Sequence, residues 1–418
     1  MHGEIMLVVV APGQGAQAPG FLAPWLDLPG MAQQFAAWSD LAGCDLVRSG
    51  TTAGADEIRR TEVAQPLLVA AGIAAAGQLF GHIEDAARLC GAVAGHSVGE
   101  LVAGAVAGVV SPQDALRLVR VRGQAMARAA AAGETGMTAV LGGDEAAVLA
   151  SIDAHGLSAA NVNGAGQIVA AGTAEQLAAF AADPPAGCRL RPLSVAGAFH
   201  TEHMAPAVGE LREAAGGVAL SDPRTRLLSN RDGREVTSAA DWVERIVTQV
   251  SAPIRWDACM RTLAGLGASA IIELPPAGTL TGLARRAMPG VDLLALKTPA
   301  DLDRARALVA AHAVETAART PEWRLLVAPM AGMFRPAAGT DGGSGGAGSG
   351  GAGAGAAAAA VSFPAGAELG HVVARGDSHP VMAPCAGDVV EWLAEDGDPV
   401  SAGQPLVRLQ PETVPAPE

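Results

Sequence analysis

The sequence predicts an α/β protein in which a helix-covered parallel sheet carries an inserted βαββαβ unit and is followed by a small all-β module. Three observations predict it. From residue 5 to about 127, short apolar runs alternate with longer Ala/Leu-rich stretches of helical period. Between 137 and 194 the rhythm becomes strand, helix, strand, strand, helix, strand. From 361 to 410, short Val/Leu segments alternate with Gly and Asp-Gly turns.

In chain order, 7–11 is a buried first strand that runs straight into a Gly-rich turn. It is short for the core of a signal peptide and has no basic residue before it. A second buried strand is expected at 92–95. The inserted unit reads as strand 137–141, helix 145–154, strands 158–162 and 167–171, helix 174–182 and strand 189–194, the order of a ferredoxin-like motif. The α/β pattern then resumes with helices near 240–250 and 254–265 and a strand at 270–274. This gives a large domain over 1–127 and 197–317, a ferredoxin-like subdomain over 128–196 and a C-terminal domain over 318–418. Residues 337–360 are almost wholly Gly, Ala and Ser, too poor in apolar surface to offset backbone ordering, and are expected to form a flexible stretch.

Composition narrows the function classes. The chain has 418 residues, half of them hydrophobic, with a net charge of -14. It lacks the basic footprint that a phosphate backbone or an anionic membrane surface would require, so neither partner is expected. Cys44, Cys90, Cys188, Cys259 and Cys385 show no metal-ligand or CxxC spacing, which suits a reducing cytoplasm. No window is expected to reach the roughly 20 apolar residues of a membrane-spanning helix; the nearest, 66–76, is flanked by polar residues.

AGHSVGE (94–100) follows an apolar strand and precedes the helical run LVAGAVAGVV. That is the context of a G-x-S-x-G nucleophile elbow atop an α/β-hydrolase-like sheet. Gly95 and Gly99 would leave room for close backbone approach, although a glycine-flanked serine can also be an ordinary helix cap. A serine hydroxyl needs a base, and the chain has nine histidines. His96 is expected to point away from Ser97, and His2, His82, His155 and His312 to lie in tails or on helix surfaces. His200 follows the inserted unit on a loop that topology can return to the sheet's carboxyl edge.

GQGAQ (13–17), Gln65-Pro66, GHSVGE, RGQAM (122–126), NVNGAGQIVAAG (161–172), GAFH (197–200) and QVSAPIRW (249–256) occur in one order. Together they resemble the malonyl-CoA:acyl-carrier-protein transacylases and the acyltransferase domains of polyketide synthases, over roughly residues 5–315. The resemblance implies a malonyl-serine intermediate on Ser97, with His200 as general base oriented by the backbone carbonyl of Gln249. It implies an oxyanion hole from the amides of Val98 and Gln14, and Gln65 and Asn163 as polar supports of the pocket. Arg122 is the arginine matched to the family's malonate-carboxylate contact, while Arg117, Arg120 and Arg128 read as solvated charges. Phe199 would crowd an α-methyl branch, whereas Gly197 and ELPPAGTL (273–280) depart from the family pattern. The implied substrates are malonyl-CoA and holo acyl carrier protein, with no bound cofactor or metal.

APMAGMF (328–334) and the segment 366–409, above all APCAGDVV and EDGDPVSAGQPL, resemble a biotinyl/lipoyl carrier domain. ARGD (374–377) aligns with the attachment hairpin and puts Gly376 in the lysine slot; Lys297 is the chain's sole lysine. Neither biotin nor lipoate is therefore expected, and the domain reads as a degenerate carrier fold kept for docking a partner. Two other readings compete: a serine thioesterase or hydrolase of the same fold, and a non-catalytic scaffold subunit of an acyl-CoA carboxylase.

Overall fold

Aliphatic runs free of internal charge become the strands of a parallel sheet, because both faces of such a sheet are covered. The computed structural model describes residues 6–317, 324–337, 361–374, 377–383 and 386–411. The chain divides into two units, residues 1–319 and 320–418.

Along the first unit, β1 (Leu7–Ala11) leads to α1 (Thr61–Phe80), β2 (Ala92–Gly95), α2 (Gly99–Val106) and α3 (Pro112–Ala130). Then come β3 (Thr135–Gly142), α4 (Glu145–Ala154), β4 (Ser158–Gly164), β5 (Gln167–Thr173), α5 (Ala174–Ala182) and β6 (Cys188–Pro192). The chain returns through β7 (Arg226–Leu228), α6 (Ala239–Thr248), β8 (Ile254–Arg255), α7 (Trp256–Gly265), β9 (Ala270–Glu273), α8 (Thr279–Ala287), β10 (Asp292–Ala295) and α9 (Leu302–Ala317).

The main sheet has the order β10-β9-β1-β2-β7, with every pair parallel. β1 sits at its centre, buried along its whole length. Ala11 pairs with Gly95 in this register, so the carboxyl ends of β1 and β2 open side by side where the Gly-rich turn and the GHSVG segment begin.

The α1 helix corrects one expectation. At 20 residues it is long and apolar enough to cross a membrane by length and composition, yet 83% of its apolar window is buried inside the unit. It packs on α2 and α3 as a core helix, with Leu67, Val69, Ala70 and Ala75 fully covered. Full burial of a side chain such as Leu67 or Val69 contributes about 1.5–3 kcal/mol.

The second sheet has the order β6-β3-β5-β4-β8. β3 is antiparallel to both β5 and β6, and β4 is antiparallel to β5. The fifth strand was not foreseen: a helix was expected from 254, but Ile254 and Arg255 pair in parallel with Asn161 and Val162 before the helix starts at Trp256. Chain from beyond His200 is thereby tied to the inserted unit. His312 also departs from expectation, being buried on α9 with Nδ1 3.0 Å from Ser269 Oγ.

The C-terminal unit comprises β11 (Arg324–Val327), β12 (Gly332–Pro336), β13 (Val361–Phe363), β14 (Glu368–Ala374), β15 (Asp377–Met382), β16 (Gly387–Trp392), β17 (Pro399–Val400) and β18 (Pro405–Pro411). They form two four-stranded sheets, β11-β18-β16-β13 and β15-β14-β12-β17, closed over Leu326, Phe334, Leu369, Val372, Leu406 and Leu409. The all-β character agrees with the sequence reading. Gly376, Cys385 and nearly all of the Gly/Ala stretch lie outside the described residues.

Candidate active site

The turn from β2 into α2 is shaped by what its glycines exclude. A Cβ on Gly95 would lie 2.0 Å from the carbonyl carbon of Gly99, and one on Gly99 would lie 2.3 Å from Ala11 O. With both side chains absent, strand and helix close tightly and Ser97 is thrown into the left-handed region at φ 53. A non-glycine residue there costs on the order of 1–3 kcal/mol and persists only where surrounding contacts hold it. Asn230 supplies them: its Oδ1 accepts from Ser97 N at 2.7 Å, and its Nδ2 donates to Gly95 O at 2.8 Å.

His200 is strained likewise, at φ 63. Its Nε2 lies 2.7 Å from Ser97 Oγ, and its Nδ1 lies 2.8 Å from the backbone oxygen of Gln249. Burial, the Arg122 guanidinium and His96 push the imidazole down to about 3, against the opposing pull of the Gln249 carbonyl. The ring is therefore neutral, donating from Nδ1 and offering the Nε2 lone pair to the serine hydroxyl. A base thus poised can take a proton while Oγ attacks a carbonyl.

Arg122 reaches this pair from α3 and is 1% exposed. Its Nη1 donates to Gln65 Oε1 at 2.7 Å, and its Nη2 donates to Gln249 Oε1 at 2.8 Å and to Ser97 Oγ at 3.2 Å. Nε has no partner among the described residues. Burial lowers the guanidinium to about 10 while Glu100 opposes the shift, so it stays cationic at neutral pH. The other arginines of the helix face solvent, where Arg117 pairs with Asp114 and Arg128 with Glu210. Arg120 donates to Asp40 O.

Ser97 and His200 open onto a cleft walled also by Gln14, Gln65, Met126 and Phe199. The backbone amides of Gln14 and Val98 donate to no partner among the described residues. Asn163 does not line the cleft; its Oδ1 lies 2.9 Å from His96 Nε2. His96 is among the residues that line the cleft, and its ring meets Trp256 edge-on at 5.7 Å. Asn163 and Trp256 hold it there, and burial lowers its pKa.

Two residues of the site escaped the sequence reading: Asn230 and Glu100. Glu100 is 3% exposed; it accepts from Asn230 N and, at 2.6 Å, from Gln249 Nε2. Burial pushes its carboxyl up to about 8 against the pull of the Asn230 backbone N–H and of Arg122. The signal available was an acidic residue opening an otherwise apolar helix.

The model of the acyl transferase domain family matches residues 8–317, the span that holds every residue of this site. The chain belongs to that family. Within it, the chain is 53% identical over 303 residues to the malonyl CoA-acyl carrier protein transacylase of Mycobacterium tuberculosis, covering 71% of this chain and 98% of the relative. The Bacillus subtilis malonyl CoA-acyl carrier protein transacylase is 31% identical over 302 residues, covering 70% and 94%. The crystal structure of the Mycobacterium tuberculosis MCAT superposes with a TM-score of 0.68 at 51% identity, covering 72% of this chain and 99% of that one. A type II polyketide-synthase acyl-carrier protein in complex with its malonyl-transacylase includes a chain that matches at a TM-score of 0.65 and 29% identity, covering 72% and 99%. The C-terminal β unit lies beyond the family match.

Proposed function

We propose that this chain transfers the malonyl group of malonyl-CoA to the phosphopantetheine thiol of an acyl carrier protein, in fatty-acid or polyketide synthesis, through a malonyl ester on Ser97. The observation that carries the reading is a buried cation, Arg122, within 3.2 Å of a serine already paired with a neutral imidazole. A general acyl-serine enzyme has no use for that cation; a dicarboxylic acyl group does.

Ser97 Oγ attacks the thioester carbonyl as His200 Nε2 takes its proton, and the Val98 and Gln14 amides receive the developing oxyanion. CoA leaves as the thiol with the proton from His200. The carrier's thiol then repeats the sequence in reverse. Arg122 holds the free carboxylate through its unspent N–H groups, Gln65 fixes the guanidinium plane, Asn163 steadies His96, and Phe199 closes the space where an α-methyl branch would sit. The chain itself brings no metal or prosthetic group to the chemistry.

The same reading extends to architecture and location. The large domain is an α/β-hydrolase-like sheet, and β3 to β6 form a ferredoxin-like subdomain, supported by the antiparallel order β6-β3-β5-β4. The C-terminal unit is a degenerate biotinyl/lipoyl-like domain that docks a partner and carries neither group, and the protein works in the cytoplasm. Arg122→Ala tests the central claim. It is expected to lower kcat/KM for malonyl-CoA by on the order of 10²-fold or more, the scale of leaving a buried carboxylate unpaired, while acetyl-CoA is spared. Equal losses for both substrates would assign Arg122 to the fold alone.

A further inference from the structure

We propose that Glu100 is a positioning residue for acyl-group selection: through the side-chain amide of Gln249 it orients Arg122 without itself occupying the guanidinium. The inference rests on the reading of Arg122 given above.

Glu100 is the second residue of α2, three places after Ser97, and is 3% exposed in a helix otherwise composed of Gly, Ala, Val and Leu. Its two oxygens take separate donors, Asn230 N on Oε1 and Gln249 Nε2 on Oε2. The Gln249 amide therefore turns its nitrogen to Glu100 and leaves Oε1 facing Arg122 Nη2 at 2.8 Å. An amide set between an accepting carboxyl oxygen and a guanidinium has one favourable orientation, since reversal would bring its NH2 against the donors of Arg122.

The same two residues tie this anchor to the reacting atoms. Gln249 gives its backbone oxygen to His200 Nδ1, and Asn230 holds Ser97 N at 2.7 Å. A carboxylate bonded directly to Arg122 would occupy the guanidinium edge that the acyl carboxylate needs. With Gln249 interposed, Arg122 is oriented through Nη2, while among the described residues Nε has no partner and Nη1 bonds only Gln65.

The experiment compares full-length Glu100→Gln, the double variant Glu100→Gln with Gln249→Glu, and Arg122→Ala. Steady-state kinetics with malonyl-CoA and acetyl-CoA are measured beside thermal melting. In Glu100→Gln a donor meets the Gln249 nitrogen, the amide turns over, and Arg122 loses an acceptor. KM for malonyl-CoA should rise at least about tenfold, while kcat/KM for acetyl-CoA changes less than about threefold. In the double variant each donor again meets an acceptor, so Tm should return toward the parent's. Selectivity should stay low, because the carboxylate at position 249 now sits on Arg122 itself. Equal losses for both acyl donors in Glu100→Gln, no loss in either, or a double variant as selective as the parent would each overturn the proposal. Should the single variant not fold, the double variant decides alone. If Arg122→Ala leaves selectivity intact, the reading of Arg122 fails; if it flattens selectivity and the Glu100 variants do not, the role of Glu100 alone falls.

Discussion

The two units of the chain distribute their energetic costs in opposite ways. The first unit puts Ser97 and His200 into the left-handed region and buries Arg122 and Glu100 within one hydrogen-bonded network. Among the described residues the C-terminal unit buries no charged side chain, and its ion pairs, Arg335–Asp396 and Arg408–Glu391, are solvent-exposed. Exposed pairs contribute about 0–1 kcal/mol each, so little of that unit's stability rests on them. It also holds every large apolar side chain left exposed among the described residues: Val327, Met333, Met382 and Leu393. Strain and buried charge persist only where surrounding structure over-determines them, and they cluster where chemistry occurs.

The largest effects should follow from breaking the strained pair. Ser97→Ala is expected to abolish the malonyl adduct seen by intact mass after mixing with malonyl-CoA, and transfer to holo carrier protein should disappear with it. A labelled Ser97→Ala protein would place the acyl group elsewhere. His200→Ala should slow acylation by roughly 10² to 10⁴-fold, the usual contribution of a positioned base. An unchanged burst rate in that variant would hand the role to His96, the other imidazole in the cleft.

Much of this contrast was legible beforehand, for local reasons. The boundaries of β1, β2, α4 and α5 follow from apolar runs that end at glycine or at capping residues, such as Asp144, which accepts from Ala147 N, and the Thr173–Gln176 capping box. Ser97, His200 and Arg122 were reachable because each lies in a contiguous motif. Asn230 lies in no such motif, and the role of Glu100 stayed hidden although it closes GHSVGE, since the meaning of both lies in bonds that span 130 or more residues, Asn230 to Glu100 and Gln249 to Glu100. The fifth strand of the small sheet was hidden likewise, because a two-residue strand has no period to read.

A middle-sized effect concerns pH. The His200 imidazole is pushed from its ordinary 6.5 down to about 3, so the base stays neutral far into acid. The profile of kcat/KM should therefore remain flat through the region near 6.5 where an exposed histidine would halve it. In stability the sign runs the other way. Below 6.5 the unfolded chain binds a proton at this histidine that the folded protein refuses, so this contribution to stability falls as pH drops from 6.5 toward 3. Denaturant titrations of the parent and His200→Ala between pH 7 and 5 should show the parent losing more stability on acidification; parallel losses would mean that His200 takes up its proton at an ordinary pKa.

The smallest effect is expected from removing residues 320–418. The family match ends at residue 317, and relatives aligned over 303 residues, 98% of their own length, have nothing corresponding to the C-terminal unit. The groups proposed to act on substrate all lie between Gln14 and Gln249, and the network around Ser97 closes within that span. Transfer to a freely diffusing holo carrier protein should thus stay within about twofold of the full chain, since ΔΔG‡ is near zero when no group that stabilises the transition state is lost. What should change is association. The exposed Met333 and Met382 lie on β12 and β15 of one sheet, with β14 between them. Size-exclusion and pull-down comparison of full-length and truncated protein should show a partner retained only by the former. A truncated protein that transfers malonate tenfold more slowly to free carrier would instead make the β unit part of the catalytic apparatus, and the contrast between the two units would then fail.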